Sequence, residues 1–211
     1  MKALKHYLLI VCFCIISINI YCQENKKEIT GEEWDKLIQL LSTEKWSDAE
    51  KLSLKYLNKF NDKDDSLADP AIVRYMYIRC VAARLAEKEY SPEKALDKVK
   101  DFTGKTIVTP PRTFRTEGIF NFYKLTDDKK ALFLCASNKE KITIQAFETF
   151  EMADTTLLND VSDLEGKDLR LGAFIKSIKT GGVTMPHFEI VFENAFLWND
   201  DEDKSDDDEN E

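Results

Sequence analysis

The hydrophobic pattern of this chain changes period near Gly104. Before that point apolar residues recur at helical spacing; after it they alternate with polar ones, as half-buried strands require. Such a switch predicts an α+β protein, helices first and sheet second. Thr30-Gly31-Glu32-Glu33 has the form of a capping box, and Trp34, Leu37, Ile38 and Leu41 then fall on one helical face. Ser47-Asp48-Ala49-Glu50 repeats the form ahead of Leu52, Tyr56, Leu57 and Phe60. The short link from Ser42 to Trp46 makes these two helices antiparallel. Asp69 and Pro70 read as the cap and first turn of a third helix. From Ile72 to Ala86 that helix is apolar on most sides, which predicts burial, yet Arg74, Arg79 and Arg84 interrupt it at intervals of five. Ser91 and Pro92 start a fourth helix with Ala95, Leu96, Val99 and Phe102 on its face, and Gly104 ends it.

Strand patterns follow. Gly104 to Val108 opens the first, Ile119 to Tyr123 and Ala131 to Cys135 come next, and Ile142, Ile144 and Ala146 alternate with polar neighbours. A short helix is expected around Asp154 to Leu164, then strands over Leu169 to Ile175 and Phe188 to Phe192. Thr126-Asp127-Asp128-Lys129 and Thr180-Gly181-Gly182 supply turns. Pro110-Pro111 breaks the first strand, because proline has no amide hydrogen to give a ladder.

Residues 30–103 resemble tetratricopeptide-type repeats, through Trp34-x-x-Leu37 with Ala49, and Ala82-Ala83 with Tyr90 and Ala95. Ala49 and Ala95 lie 46 apart, whereas the repeat period is about 34, so the polar Asn61–Ser66 loop reads as an insertion. An unrelated four-helix packing is the alternative. Over residues 104–198 the order of three strands, a helix and two strands resembles the OB fold. The likeness is to exported, tRNA_anti-like domains in which a leucine and a Gly-Lys turn begin the fourth strand, here Leu164-Glu165-Gly166-Lys167-Asp168-Leu169. Together the resemblances imply N-terminal helical hairpins followed by a five-stranded OB-like β-barrel. They also imply a ligand face flanked by loops near Lys124–Lys130 and Lys179–His187. Carried over by position, Tyr123, Lys124, Lys179 and His187 are the expected ligand contacts; Phe120, Phe122 and Tyr123 are placed to stack on a base or sugar, and the alternative puts Phe120 and Phe122 in the core and leaves only Tyr123 exposed.

Residues 1–22 read as a secretory signal peptide. Lys2, Lys5 and His6 precede an apolar run from Tyr7 to Ile18 that is too short to span a bilayer. Cleavage between Cys22 and Gln23 implies a secreted or periplasmic protein with no transmembrane segment afterwards, and the Gln start resembles exported proteins of the Bacteroidetes. A lipid anchor on Cys22 is the alternative, which the bulky Tyr21 disfavours. Cys80 and Cys135 remain, both in apolar contexts. An oxidising compartment permits a disulfide, but the two fall in different predicted units, and a pair of buried free thiols is the expectation.

Charge and motifs narrow the function. The tail over 199–211 carries a net −8, and the body between leader and tail only −3. From Gly104 to Trp198 twelve basic residues face thirteen acidic ones. Nucleic-acid binding needs a basic surplus, so it is not expected. After the leader His187 is the single histidine, and neither His-Glu-x-x-His nor Gly-x-Ser-x-Gly occurs. Asp62, Asp64 and Asp65 lack the glycine a calcium loop needs, since Leu67 holds that place. No catalytic residue, cofactor or metal site is expected. The acidic tail reads as a solubilising segment; weak binding of divalent cations or a basic partner is its other reading. The chain is expected to be a non-enzymatic exported binding or assembly module engaging a protein partner at the cell envelope. Its rivals are an envelope enzyme or accessory acting on glycans or peptides, and an oligonucleotide-binding protein.

Overall fold

A computed structural model describes residues 28–61, 64, 67–138 and 143–199. The expected signal peptide, Asp62 and Asp65 of the polar loop, Ile142 and the tail from 200 onward lie outside the described residues.

Four α-helices come first: α1 (Gly31–Ser42), α2 (Trp46–Leu57), α3 (Ala68–Ala86) and α4 (Pro92–Val99). The strands are β1 (Thr106–Val108), β2 (Arg112–Thr113), β3 (Tyr123–Leu125), β4 (Ala131–Ser137), β5 (Ile144–Met152), β6 (Asp168–Leu169), β7 (Leu171–Gly181) and β8 (His187–Leu197).

The box at Thr30 forms in both directions. The Thr30 hydroxyl accepts from the Glu33 amide at 3.4 Å, and the Glu33 carboxylate accepts from the Thr30 amide at 3.1 Å. Ser91 caps α4, accepting from Lys94 at 3.3 Å with Pro92 in the first turn. The expected box at Ser47 does not form, because α2 begins at Trp46 and carries no side-chain cap. Glu50, which would close that box, is buried and turned toward cations on α3 and α4 instead. Asp69 is not a cap either: α3 begins at Ala68, and the Asp69 carboxylate accepts from the Ile29 amide at 2.9 Å. In both cases a partner distant in sequence wins the side chain that local pattern assigns to a helix end.

α3 is buried along most of its length, as its composition predicts. Five residues turn a helix through about 140° beyond a full circle, so the three arginines point three ways. Arg74 donates to the Thr106 carbonyl on β1. Arg79 reaches β5, and Arg84 turns back to Glu50 and Glu89. Each of the three guanidinium groups on this buried helix thereby gains a partner, which burial demands.

The main sheet has six strands in the order β1-β7-β8-β5-β4-β3, and β5–β8 is its parallel pair. β2 and β6 form a separate two-stranded ladder. The expectation of a closed five-stranded barrel is corrected: the sheet is not closed, and β1 and β3 are its two edges. Both edges come from the one stretch that holds Pro110-Pro111. After Val108 the Thr109 amide still donates to Leu171 at 2.9 Å. The next two residues have no amide hydrogen, and the chain leaves β7. The expected strand over Ile119 to Tyr123 is also corrected, since the ladder begins at Tyr123 and Phe120 makes an isolated bridge to Cys135. The expected helix over Asp154 to Leu164 is instead two 3-10 turns, Thr155–Leu158 and Ser162–Leu164. Asp154 and Asp160 accept from the amides two residues on, an Asx turn that competes with helix.

One hydrophobic cluster runs from α3 (Tyr77, Ile78, Leu85) into the sheet (Leu132, Phe150, Phe192) without a break at Gly104. A smaller one joins Leu37, Ala49, Tyr56, Val73 and Cys80 among α1, α2 and α3. Cys80 and Cys135 are buried and free.

Candidate functional site: a groove between the helices and the sheet

A groove of about 590 Å³ runs between the helical hairpin and the broken first strand. α1 supplies Trp34, Ile38 and Leu41. The apolar stripe of α1 is wider than its helical partners need: Leu37 is buried against them, while Ile38 is 51% exposed at the groove. α3 supplies Ile72, Tyr75, Met76 and Arg79, one stripe at helical spacing. Pro110 and Pro111 form part of the opposite wall, so the break that keeps the sheet open also builds the groove. Asn121 and Ser137 add a polar stretch. The Asn121 side chain donates to the Ser137 hydroxyl at 2.9 Å and accepts from its amide at 3.0 Å.

Ionic groups lie along the groove and beneath it. Glu148 on β5, fully buried, accepts from the Tyr75 phenol at 2.8 Å and from Arg79 at 3.2 Å. Arg79 also donates to the Gln145 side chain at 2.7 Å. Burial pushes the Glu148 carboxyl up, against the pull of Arg79 and Tyr75. Burial also holds the Tyr75 phenol well above its ordinary value, so Tyr75 stays protonated and donates. Arg112 and Arg170 reach the groove from β2 and from between β6 and β7. The Nε–H groups of Trp46 and Arg112 are buried and have no acceptor among the described residues.

The residues expected to touch a ligand lie elsewhere and do not converge. Tyr123 is fully buried, edge-on to Phe150, and donates to the Thr109 hydroxyl at 2.8 Å. Its expected exposure is corrected: the alternation of β3 turns Lys124 outward and Tyr123 in. Lys124, Lys179 and His187 share the outer face of the sheet, where cross-strand register sets Lys124 beside Phe133 and Lys179 beside Glu189. β4 and β5 separate Lys124 from His187. Phe133 and Phe147 stack with centroids 5.9 Å apart, and His187 meets Phe147 edge-on at 4.7 Å. The His187 Nδ1 lies 2.8 Å from the Met185 carbonyl, so the ring helps to shape the β7–β8 turn.

Among the described residues no group of three or more His, Cys, Asp or Glu is placed to hold a metal, and no helix is long and apolar enough to cross a membrane. Comparisons with protein-family models, curated proteins and solved structures found no match.

Pattern reading singled out Trp34, the arginines and the paired prolines, but nothing local brings them to one place. The signal that could have flagged the groove is the surplus of apolar residues on α1 beside a proline-broken strand.

Proposed function

We propose that this chain is a non-enzymatic, exported binding module that engages a segment of a partner protein in the groove between its helices and its sheet. The observation that carries the reading is the groove itself: apolar walls with a few fixed polar groups, in the size range of ligand sites. The charges beneath it are engaged with one another, as in a scaffold, since Glu148 is held by both Tyr75 and Arg79. Export rests on the leader pattern over residues 1–22. A repeat-like helical unit leaning on an OB-like sheet belongs to the same reading. It is supported by the antiparallel α1–α2 hairpin, by the strand order and by the Gly166-Lys167 turn just before β6.

The outer face with Phe133 and Phe147 invites an oligonucleotide reading. Its charges are matched, however: Lys176 pairs with Glu151 at 2.7 Å and Lys179 faces Glu189. Single-strand binding calls for a positive groove around the stacking rings.

A photo-cross-linking residue in place of Ile38 tests the proposal. The expected outcome is an adduct with a discrete envelope protein that is missing when the same residue replaces Val183, which is fully exposed at the hairpin tip. Equal labelling from both positions, or none from Ile38, would remove the groove as the binding site.

A further inference from the structure

We infer that the groove receives the apolar face of a short amphipathic helix of its partner, and not an extended strand. This rests on the groove being the binding site, as proposed above.

A segment buried in the groove must find partners for its own backbone N–H and C=O groups. A strand finds them on a sheet edge, along a row of open main-chain donors and acceptors. The sheet side of this groove has no such row of donors. Pro110 and Pro111 carry no amide hydrogen. The Thr109 amide donates to the Leu171 carbonyl at 2.9 Å, and the Asn121 amide to the Cys135 carbonyl at 2.9 Å. The Ser137 amide donates to the Asn121 side chain at 3.0 Å. The Thr109 carbonyl accepts from Arg170 Nε at 3.3 Å. The opposite side is α1 and α3, whose main chains bond within each helix.

Polar side chains of the lining are engaged as well. The Ser42 hydroxyl donates to the Gln39 carbonyl at 3.0 Å, and Asn121 and Ser137 hold each other. Tyr75 and Arg79 both hold Glu148. The Nε–H groups of Trp46 and Arg112 are buried, beyond the reach of an occupant. A helix needs none of these groups, because its backbone bonds are made within itself.

What the groove leaves open is apolar and has helical spacing. On α1, Trp34, Ile38 and Leu41 fall at i, i+4 and i+7. On α3, Ile72, Met76 and Arg79 repeat that spacing, so each row is about 10 Å long. Such rows are ridges against which a third helix of two or so turns seats an apolar row of its own. Charge complementarity points the same way. Arg79 closes the α3 row, but Glu148 lies 3.2 Å from it and matches its charge, so the rows suit an uncharged face. A hydrocarbon chain also needs no backbone partners, and the test separates it.

The test uses the chain from Gln23 onward and two pools of peptides about fourteen residues long, enough for a helix to form on binding. In one pool the randomised apolar positions stand at i, i+3, i+4 and i+7; in the other they alternate with polar ones. The expected result is enrichment from the helical pool alone. An enriched peptide should gain helix on binding, read by far-ultraviolet circular dichroism. A proline at its centre should weaken binding by about a hundredfold, the scale of a broken helix. Emission from Trp34 and Trp46, both at the groove, reports the titration. Ile38→Glu, at an exposed position, should weaken the peptide by about tenfold or more, since the new charge loses water in the filled groove. The comparison of pools needs no variant, so it stands even where a variant folds poorly. Enrichment from the alternating pool, alone or to an equal degree, overturns the helix while leaving the groove as a protein-binding site. So does an enriched peptide that binds without gaining helix. Enrichment from neither pool overturns the inference alone if the Ile38 adduct forms, and overturns both readings if it does not. Dodecanol binding more tightly than every enriched peptide overturns it in favour of a lipid ligand.

Discussion

Arg79 on α3 meets Glu148 on β5 across the helix–sheet junction, Nη1 to Oε1, 3.2 Å apart, with both side chains withdrawn from water. The pair joins the helical half to the sheet through charge as well as through packing. Desolvation makes such a pair costly to break and of modest net value when whole. Arg79→Met should therefore lower stability by about 3–5 kcal/mol, the scale for stranding a buried charge. Adding Glu148→Gln should recover much of that loss, because Gln still accepts from Tyr75. Urea unfolding of the two singles and the double checks this; strictly additive losses would show that the groups are not coupled.

Glu50 is the corresponding anchor within the helices. Burial works against its charge, but Lys98, Tyr90 and Arg84 outweigh that and hold the carboxyl below its ordinary 4.5. Arg84 lies 2.8 Å away and Lys98 2.7 Å. A carboxyl with a depressed folded-state pKa binds fewer protons folded than unfolded. Its stabilisation is complete above about pH 4.5 and is lost as pH falls through the folded value. Glu50→Gln should cost about 1–3 kcal/mol at neutral pH and flatten the acid limb of the stability curve. An unchanged acid limb in pH-dependent denaturation would count against this role.

The two remaining thiols should be silent in the folded protein. Burial pushes Cys135 up to about 11 and Cys80 higher still, and the thiolate is the reactive form. In the chain from Gln23 onward, Ellman's reagent should register almost nothing under native conditions and both thiols in denaturant. A missing pair in denaturant would reveal a disulfide.

Tyr123 should matter for stability and not for binding. Its hydroxyl donates to Thr109, whose own oxygen also accepts from the Leu171 amide at 3.0 Å. Tyr123→Phe should cost about 1 kcal/mol, the net value of a buried hydrogen bond. It should leave groove titrations unmoved. A changed affinity with unchanged stability would return Tyr123 to the ligand site.

Much of this architecture is legible in the sequence. The period change at Gly104, the caps at Thr30 and Ser91, the burial of α3 and the break at Pro110-Pro111 each depend on residues within a turn or two of one another. Such local physics acts on the chain before any distant contact exists. The candidate site was not legible. Tyr123 faces inward because its neighbours Leu134 and Phe150 complete a core, and no local pattern fixes that.

The amino-acid order alone settled helices before sheet, the antiparallel first hairpin and the place where the first strand must stop. Tertiary packing alone settled the six-strand order, the open edges, the use of Glu50 and Asp69 as bridges, and the meeting of α1, α3 and the proline pair around one groove. The reason is range. A cap or a proline break is decided by atoms a few bonds away, whereas Arg79 finds Glu148 69 residues along the chain, once burial has removed water as the competing partner.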